Sequence, residues 1–330
     1  MKKNSTGLWL VWVLLTVLVL SACGGQAAAP EPTAAPEVAA TEAPPADPTA
    51  AAEPLSFTDG RGNTVELAGP AQRIISMAPS NTEILFFVGA GDQVVGRDTV
   101  SDYPEAALAV PDIGGGFGEL AMETIIAAEP DLILASDITV AEQIAALQDV
   151  GLAVYVLPDP ATLDDMYANL RTVAQMTGHE AETEPLIADL QARVAAVTDK
   201  TAGVTERPLA FYELDSTDPN APWTAGAGTF VDTLITMSGG DNVGATLDGA
   251  WAQISVESLL VEDPDVILLG DSAYGVTPEA VAARAGWEAL TAVQNNAIYP
   301  FDDNLVSRPG PRLIDGLEAM AMVLHPELFE

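Results

Sequence analysis

Two glutamates hold equivalent positions in a repeated stretch of the sequence. Residues 122–134 align without a gap on residues 256–268, and this alignment pairs Glu123 with Glu257. Each glutamate lies near the start of a predicted helix, where the helix dipole stabilises a carboxylate by about 0.3–1 kcal/mol. That local effect would be enough to explain either residue alone. Their equivalence favours a second interpretation, in which two surface acids meet two basic groups on a partner with two-fold symmetry.

Four aromatic side chains are predicted to lie in loops rather than on the apolar faces of helices: Tyr103, Phe117, Trp223 and Trp251. Phe117 lies in the glycine-rich run 114–118, whose backbone freedom would present the ring to a cleft. Rings of this size bury about 150–250 Å² each and suit a flat or bulky ligand. The alternative is that these rings fill the cores of their own lobes.

Two arginines flank the turn formed by residues 309–311. Arg308 is the better candidate for a ligand contact, because a guanidinium fork suits amide, carboxylate or phosphate oxygens. The alternative for this residue is a surface position without a ligand. Arg312 is expected to be structural and to pair with Asp315 near the start of the last helix.

The balance of charge and the scarcity of metal-binding side chains exclude several functions. The 330 residues include 48 Asp and Glu but only 12 Lys and Arg, for a net charge of −36, so nucleic acid is not an expected partner. One cysteine and two histidines, His179 and His325, do not make the clustered site that a bare transition metal needs, and both histidines are expected on the surface. Phosphate loops and nucleophile elbows are absent from the sequence, which therefore predicts no enzyme.

Short β-rich runs alternate with helical patterns from Leu55 onward, which is typical of α/β architecture. The repeat predicts two lobes of one plan, over residues 55–178 and 204–330. Residues 179–203 are predicted to form a long helix that bridges them. Its apolar stripe is predicted to consist of Leu186, Leu190, Val194 and Val197.

The start of the sequence has the pattern of an export signal. Two lysines precede a mostly apolar stretch over residues 8–20, which is shorter than the roughly 18 apolar residues that a membrane span needs. Residues 20–23, Leu-Ser-Ala-Cys, resemble a bacterial lipobox. We expect residues 1–22 to be a signal peptide and Cys23 to be the lipidated N-terminus of an exported, membrane-anchored protein. Residues 23–54 are then an Ala/Pro-rich, disordered tether.

Several short motifs occur in the order found in one family of transport receptors. They are residues 73–83, 89–92, 101–104 (Ser-Asp-Tyr-Pro), 222–226 (Pro-Trp-Thr-Ala-Gly), 239–242 and 308–312 (Arg-Pro-Gly-Pro-Arg). Over about residues 55–330, the sequence resembles the iron-siderophore, haem and cobalamin substrate-binding proteins of ABC importers, and most of all the cobalamin-binding member. The resemblance implies an α/β fold with two Rossmann-like lobes, joined by a single long α-helix, and a ligand cleft between the lobes.

The resemblance also implies roles for individual residues. The ligand contacts of the family correspond here to Tyr103, Phe117, Trp223, Trp251 and Asn304, with Phe117 in place of a tryptophan. Glu123 and Glu257 correspond to two glutamates that dock such a receptor on a permease dimer, which works with ATPase subunits. We expect a monomer with no intrinsic cofactor, and the long helix should restrict closure of the lobes to small motions.

More than one ligand fits these residues. A metal-chelate macrocycle is expected, and a corrinoid such as cobalamin is favoured. A ferric siderophore or haem is the alternative, and Tyr103 or Tyr212 could serve haem as an axial ligand. An anionic siderophore should need more than one cleft arginine, and Arg308 has few candidates to join it. A different class of function also stays open, namely a surface-anchored signalling or adhesion module on a degenerate receptor fold.

Overall fold

A computed structural model of the chain describes residues 54–116 and 118–329. The predicted signal peptide, the lipidation site Cys23, nearly all of the tether and the aromatic candidate Phe117 therefore lie outside the described residues. None of the helices within the described ranges is long and apolar enough to cross a membrane.

Twelve strands and twelve α-helices make up the described part of the chain. The strands are β1 Leu55–Thr58, β2 Thr64–Leu67, β3 Ile74–Ser76, β4 Val94–Arg97, β5 Leu132–Ser136, β6 Val154–Leu157, β7 Leu209–Glu213, β8 Trp223–Ala225, β9 Asp241–Asn242, β10 Trp251–Gln253, β11 Val266–Leu269 and β12 Ile298–Pro300. The helices are α1 Pro79–Phe87, α2 Met122–Ala127, α3 Ala141–Asp149, α4 Leu163–Thr177, α5 Glu180–Thr201, α6 Phe230–Met237, α7 Val256–Glu262, α8 Pro278–Ala282, α9 Thr291–Gln294, α10 Asn304–Ser307, α11 Leu313–Leu324 and α12 Pro326–Phe329.

Two four-stranded parallel sheets lie on either side of α5 in the chain. The first has the order β4-β3-β5-β6, and the second has the order β12-β11-β7-β9. Two antiparallel ribbons, β1-β2 and β8-β10, complete the strand pairing. We call the elements before α5 the first lobe and those after it the second lobe. The predicted α/β class, with two lobes joined by a long helix, is confirmed.

The sequence repeat covers α2 and the start of β5 in the first lobe, and α7 and the start of β11 in the second. β5 and β11 are inner strands of their sheets. Because successive side chains of a strand point to opposite faces, each of these fully buried strands packs on two layers. One face of both strands joins a single apolar cluster that also receives α5, and we call it the central cluster. It includes Leu132 and Leu134 of β5, Ile187 and Leu190 of α5, and Val266 and Leu268 of β11. The opposite faces of the two strands pack into separate clusters, one in each lobe.

The buried face of α5 agrees with the predicted stripe except at its first residue, Leu186. Leu190 and Val197 are buried as expected, but Leu186 is 38% exposed, whereas its neighbour Ile187 is only 1% exposed. The buried positions of α5 are Thr183, Ile187, Leu190, Val197 and Thr201, spaced by four, three, seven and four residues, which keeps one face of the helix against the two lobes. Leu186 is one position, or about 100°, away from that face. The prediction of its burial was therefore wrong.

The two adjacent residues of α5 provide a direct test of this register. We expect Ile187→Ala to lower the free energy of unfolding by about 2–5 kcal/mol, because it opens a cavity in the central cluster. The control Leu186→Ala should cost less than about 1 kcal/mol, since that side chain is already partly in solvent. Urea denaturation followed by circular dichroism measures both values, and equal losses would contradict the assigned face.

Candidate functional site

The described candidates for ligand contact all follow the carboxyl ends of strands of the parallel sheets. Tyr103 follows β4 in the first lobe, and Asn304 and Arg308 follow β12 in the second. The ribbon that carries Trp223 and Trp251 follows β7. Ligands of open parallel sheets bind outside the carboxyl ends of the strands. The candidate residues therefore lie at the edge of each sheet where a ligand is expected.

Trp223 and Trp251 lie in the paired strands β8 and β10, not in the loops that were predicted. Trp223 is opposite Gln253, and Trp251 is opposite Ala225, so the two indoles lie on the same face of the ribbon. They are 40% and 49% exposed. The ribbon is attached to the carboxyl end of β7, because the amide of Trp223 donates to the carbonyl of Asp215 at 2.8 Å. The pair offers a broad aromatic surface at this edge.

Tyr103 lies in the first lobe but contacts an arginine of the second. Its ring is 45% exposed, and the guanidinium carbon of Arg312 lies 4.0 Å from the ring centroid, which is the geometry of a cation–π contact. Arg312 does not pair with Asp315, as was expected from their spacing. Asp315 accepts instead from Arg193 of α5, at 2.6 Å.

The partner of Arg312 is Glu83, a buried carboxylate of α1. Its Oε2 accepts from Arg312 Nε at 2.8 Å, and its Oε1 accepts from Arg312 Nη2 at 2.6 Å and from Arg308 Nη1 at 3.1 Å. Arg308 Nη1 also donates to Asp102 Oδ1 at 2.7 Å. Two arginines of the second lobe are therefore held by two carboxylates of the first. We call these four residues the interlobe clasp.

The sequence analysis assigned no role to Glu83, although the residues around it are unusual for a charged side chain. It is the only charged residue of α1, and an apolar run follows it directly. A carboxylate in such surroundings is rarely buried without a partner. Its burial was thus foreseeable, whereas the identity of its partners was not.

Arg308 and Asn304 keep polar atoms available beside these contacts. Only Nη1 of Arg308 has a hydrogen-bond partner among the described residues, so its Nε and Nη2 donors are open to a ligand. Asn304 donates from Nδ2 to Asp302 Oδ1 at 3.0 Å, which leaves its carbonyl oxygen without a described partner. Both side chains can therefore contribute to polar recognition.

Every Lys and Arg of the described residues is already engaged. Six arginines pair with carboxylates, namely Arg171, Arg193, Arg207, Arg284, Arg308 and Arg312. Four other cations donate to backbone carbonyls, namely Arg61, Arg73, Arg97 and Lys200. In the described part of the chain, an anionic ligand would thus find no cation that is free of a protein partner.

Tyr212 and His325 are both buried, in contrast to the roles that the sequence suggested. Tyr212 is fully buried, and its hydroxyl donates to Asp303 Oδ1 at 2.6 Å. Burial, reinforced by the charge of Asp303, raises the pKa of this phenol well above its ordinary value. Tyr212 therefore cannot reach a ligand as an axial donor. His325 is buried within the second lobe, with Nε2 3.1 Å from the carbonyl oxygen of Gly239, so its predicted surface position was wrong.

Two carboxylates at or beside the clasp, Asp102 and Asp98, have shifted pKa values. The pKa of Asp98 is raised, because the effect of burial outweighs the opposing effects of its hydrogen bonds with Ser101 and of the charge of Arg97. The Oδ1 atom of Asp98 has no hydrogen-bond partner in the described structure. Burial alone would also raise the pKa of Asp102, but the hydrogen bond and charge of Arg308 bring it below its ordinary value.

No group of three or more potential metal ligands occurs among the described side chains.

Glu123 and Glu257 are each the second residue of a short helix, and both are exposed. Ile125 of α2 packs with β5, and Leu259 of α7 packs with β11, so each helix lies against the strand that follows it. A helix that leads into a strand through a short turn runs opposite to it, which brings the helix start to the carboxyl end of the strand. Both acids therefore lie at the same sheet edges as the ligand candidates.

Two cavities lie outside the aromatic surface. One, of about 510 Å³, adjoins Glu123 and is lined by Val95 and Pro111 among others. The second, of about 400 Å³, lies between α4, α5 and α6 and is lined by Tyr167 and Met237 among others. The three exposed aromatic candidates line neither of these two cavities.

Comparison with known proteins gives a consistent result. Residues 74–305 match the model of a family described as periplasmic binding protein. An uncharacterized ABC transporter substrate-binding lipoprotein of Bacillus subtilis, YvrC, is 29% identical over 333 residues, which cover 99% of each chain. The vitamin B12 binding protein BtuF of Vibrio cholerae is 27% identical, with a TM-score of 0.66 over 79% of this chain and 99% of that one. The haem-binding protein RhuT of Roseiflexus sp. RS-1 is 28% identical, with a TM-score of 0.69 over 78% of this chain and 99% of that one.

The raised pKa of Asp98 has a testable consequence for stability. Because the folded state binds the Asp98 proton more tightly than the unfolded chain does, its contribution to stability falls as the pH rises through the folded pKa. Asp98→Asn removes this titration. We expect the free energy of unfolding of the native protein, relative to Asp98→Asn, to be highest near pH 4 and lower at pH 7. Urea titrations across this range measure the difference, and a difference that grows with pH would contradict the assignment.

Proposed function

This chain belongs to the periplasmic binding protein family, and from that premise we propose that it captures a metal-chelate macrocycle for an ABC importer, with a corrinoid favoured. The observation that carries the proposal is the aromatic surface at the carboxyl ends of the two parallel sheets. Tyr103 contributes from the first lobe, and Trp223 and Trp251 contribute from the second. A ligand between the lobes would contact both.

The size of the aromatic surface favours a flat or bulky ligand. The exposed indoles on one face of the ribbon place apolar surface in water, which is unfavourable, and a ligand that covers them would remove this surface from water. Each ring can bury on the order of 150–250 Å², which at about 25 cal/mol per Å² is several kcal/mol of gross stabilisation. Phe117, which lies outside the described residues, is proposed to extend this surface.

The charges near the cleft favour a ligand without several carboxylates. Both clasp arginines are neutralised by Glu83 and Asp102. The open donors of Arg308 and the open carbonyl of Asn304 suit amide groups, which both accept and donate hydrogen bonds. A corrinoid carries many amides, whereas a ferric siderophore with excess anionic charge would meet a surface without free cations.

Haem is the second candidate, and the observation that favours it is the exposed Tyr103. No described side chain receives a hydrogen bond from its hydroxyl, so this oxygen is available as an axial ligand. The similarity to RhuT, which is named a haem-binding protein, supports the same alternative. Two haem carboxylates would then depend on Arg308 alone, and this weakens the case.

Delivery of the ligand is proposed to involve Glu123 and Glu257, which dock the loaded receptor on the permease dimer of an importer with ATPase subunits. Both acids are exposed, and each lies at the same position of its helix. Cys23, outside the described residues, is proposed to carry the lipid anchor of a monomeric receptor on the outer side of the cell membrane. The similarity to YvrC, which is named a lipoprotein, supports this location.

Ligand binding can be tested with the purified protein and three coloured ligands, namely cyanocobalamin, haem and a ferric hydroxamate. We expect cyanocobalamin to bind best and to quench tryptophan fluorescence. Trp223→Ala and Trp251→Ala should each raise its Kd about 10- to 100-fold, which corresponds to a loss of roughly 1.4–2.8 kcal/mol. The control Met322→Ala removes an apolar side chain of similar exposure on α11 and should leave the Kd unchanged. Absence of binding by all three ligands would overturn the proposed function and favour a signalling or adhesion module.

Docking can be tested by charge reversal at both acids. Glu123→Arg with Glu257→Arg should abolish ligand uptake by proteoliposomes that contain the importer, because two attractive contacts become repulsive. The Kd for the ligand in solution should stay within about twofold.

A matched control for this test exists in the same chain. Glu142 and Glu279 are also exposed acids at the second position of a helix, one in each lobe. Their double reversal to Arg changes the net charge equally and should leave most of the uptake intact. Equal loss of uptake in the two double variants, or loss of ligand affinity in the first, would argue against the docking role.

A further inference from the structure

We propose that Glu83 is a positioning residue for the ligand, which sets the spacing between the aromatic groups of the two lobes through Arg308 and Arg312. The inference builds on the proposed function, because it assigns to a buried residue the geometry on which ligand binding depends. Glu83 does not belong to the aromatic surface itself. Its carboxylate is buried where it binds two arginines of the other lobe.

The geometry of the clasp is that of a strong and specific interaction. The Glu83 side chain is 1% exposed, and those of Arg308 and Arg312 are 13% and 12% exposed. Arg312 binds Glu83 with two parallel N–H donors, an arrangement that restrains the guanidinium in orientation as well as in distance. Asp102 supplies the second negative charge, so that the four groups have no net charge. Removal of the Glu83 charge alone would leave two buried cations with one exposed carboxylate.

Tyr103 depends on this restraint through Arg312. The guanidinium that Glu83 holds is the group that packs on the Tyr103 ring, at 4.0 Å. Asp102, the preceding residue, is held by Arg308. Two consecutive residues of the first lobe are thus tied to two arginines of the second, which is the lobe that carries Trp223 and Trp251. A ligand that stacks on Tyr103 and on the tryptophans would find their separation already set, and this lowers the cost of binding.

A second buried pair in the chain separates this role from a general effect on stability. Glu213 of β7 is fully buried, and its Oε1 accepts from Arg284 Nη2 at 2.9 Å, while its Oε2 contacts Arg284 Nη1. This pair is similar to the clasp in chemistry and burial. Both partners lie in the second lobe, however, so the pair does not connect the two lobes. Its disruption should lower stability without changing the distance between the lobes.

The test compares Glu83→Gln with Glu213→Gln in the full chain, with Cys23→Ser and two spin labels at Ala145→Cys of α3 and Ala280→Cys of α8. Both label positions are exposed, one in each lobe. Pulsed electron resonance then reports the distance between the lobes without any ligand. We expect one narrow distribution in the parent protein and in Glu213→Gln, and a broader or longer distribution in Glu83→Gln.

Binding of cyanocobalamin and of haem is measured on the same unlabelled variants. If the competent spacing falls to about one tenth of the population in Glu83→Gln, the Kd for the bound ligand rises about tenfold. The milder variant Asp102→Asn, which removes the exposed part of the clasp, should shift both readouts in the same direction and serves if Glu83→Gln does not fold. An unchanged distance distribution, or a broadened one with an unchanged Kd, would overturn the proposal. If the parent protein binds neither ligand, the proposed function fails, whereas the distance measurement still decides whether Glu83 sets the spacing.

Discussion

The central cluster is the constraint on which the rest of the molecule depends. Leu134 of the first sheet, Leu190 of α5 and Leu268 of the second sheet belong to one continuous apolar cluster. Any rotation that separates the lobes would expose part of this cluster to water, at about 25 cal/mol for each Å². Burial of this cluster therefore favours one arrangement of the lobes, and we expect the ligand to fit a cleft whose width is largely set before binding.

Charge acts on the same geometry next to the central cluster, because Glu83 and Arg312 directly precede Ile84 and Leu313, which belong to that cluster. The chain has four times as many acidic as basic residues, so a carboxylate rarely finds a cation nearby. Two of the few arginines nevertheless converge on the single carboxylate of Glu83. Burial of this group is unfavourable by itself, and it is tolerated because three N–H donors replace the water that it loses. The cluster resists separation of the lobes, and the clasp defines the position in which they rest.

Much of the fold could be predicted from periodicity, because alternation along strands and helical spacing are local properties. The repeat of residues 122–134 and 256–268 correctly identified a buried strand in each lobe, and the length of α5 was nearly right. Leu186 shows the limit, because a stripe extended by regular spacing can include a residue that lies one position away from the true face.

The contacts of the site were less predictable, because they join residues that are distant in the chain. Arg312 was matched with Asp315, three residues away, whereas its partner Glu83 is 229 positions away in sequence. Trp223 and Trp251 were placed in loops, because strands of three residues leave almost no periodic signal. Glu123, Glu257 and the aromatic residues were chosen by equivalence and by resemblance, and their placement at one edge of each sheet depends on topology.

The same topology bears on release of the ligand. The helices α2 and α7, which carry the two acids, lead directly into β5 and β11, two of the strands in the central cluster. A partner that pulls on both acids would therefore act on elements that hold the lobes together, so the docking proposed above would have a mechanical route to opening of the cleft.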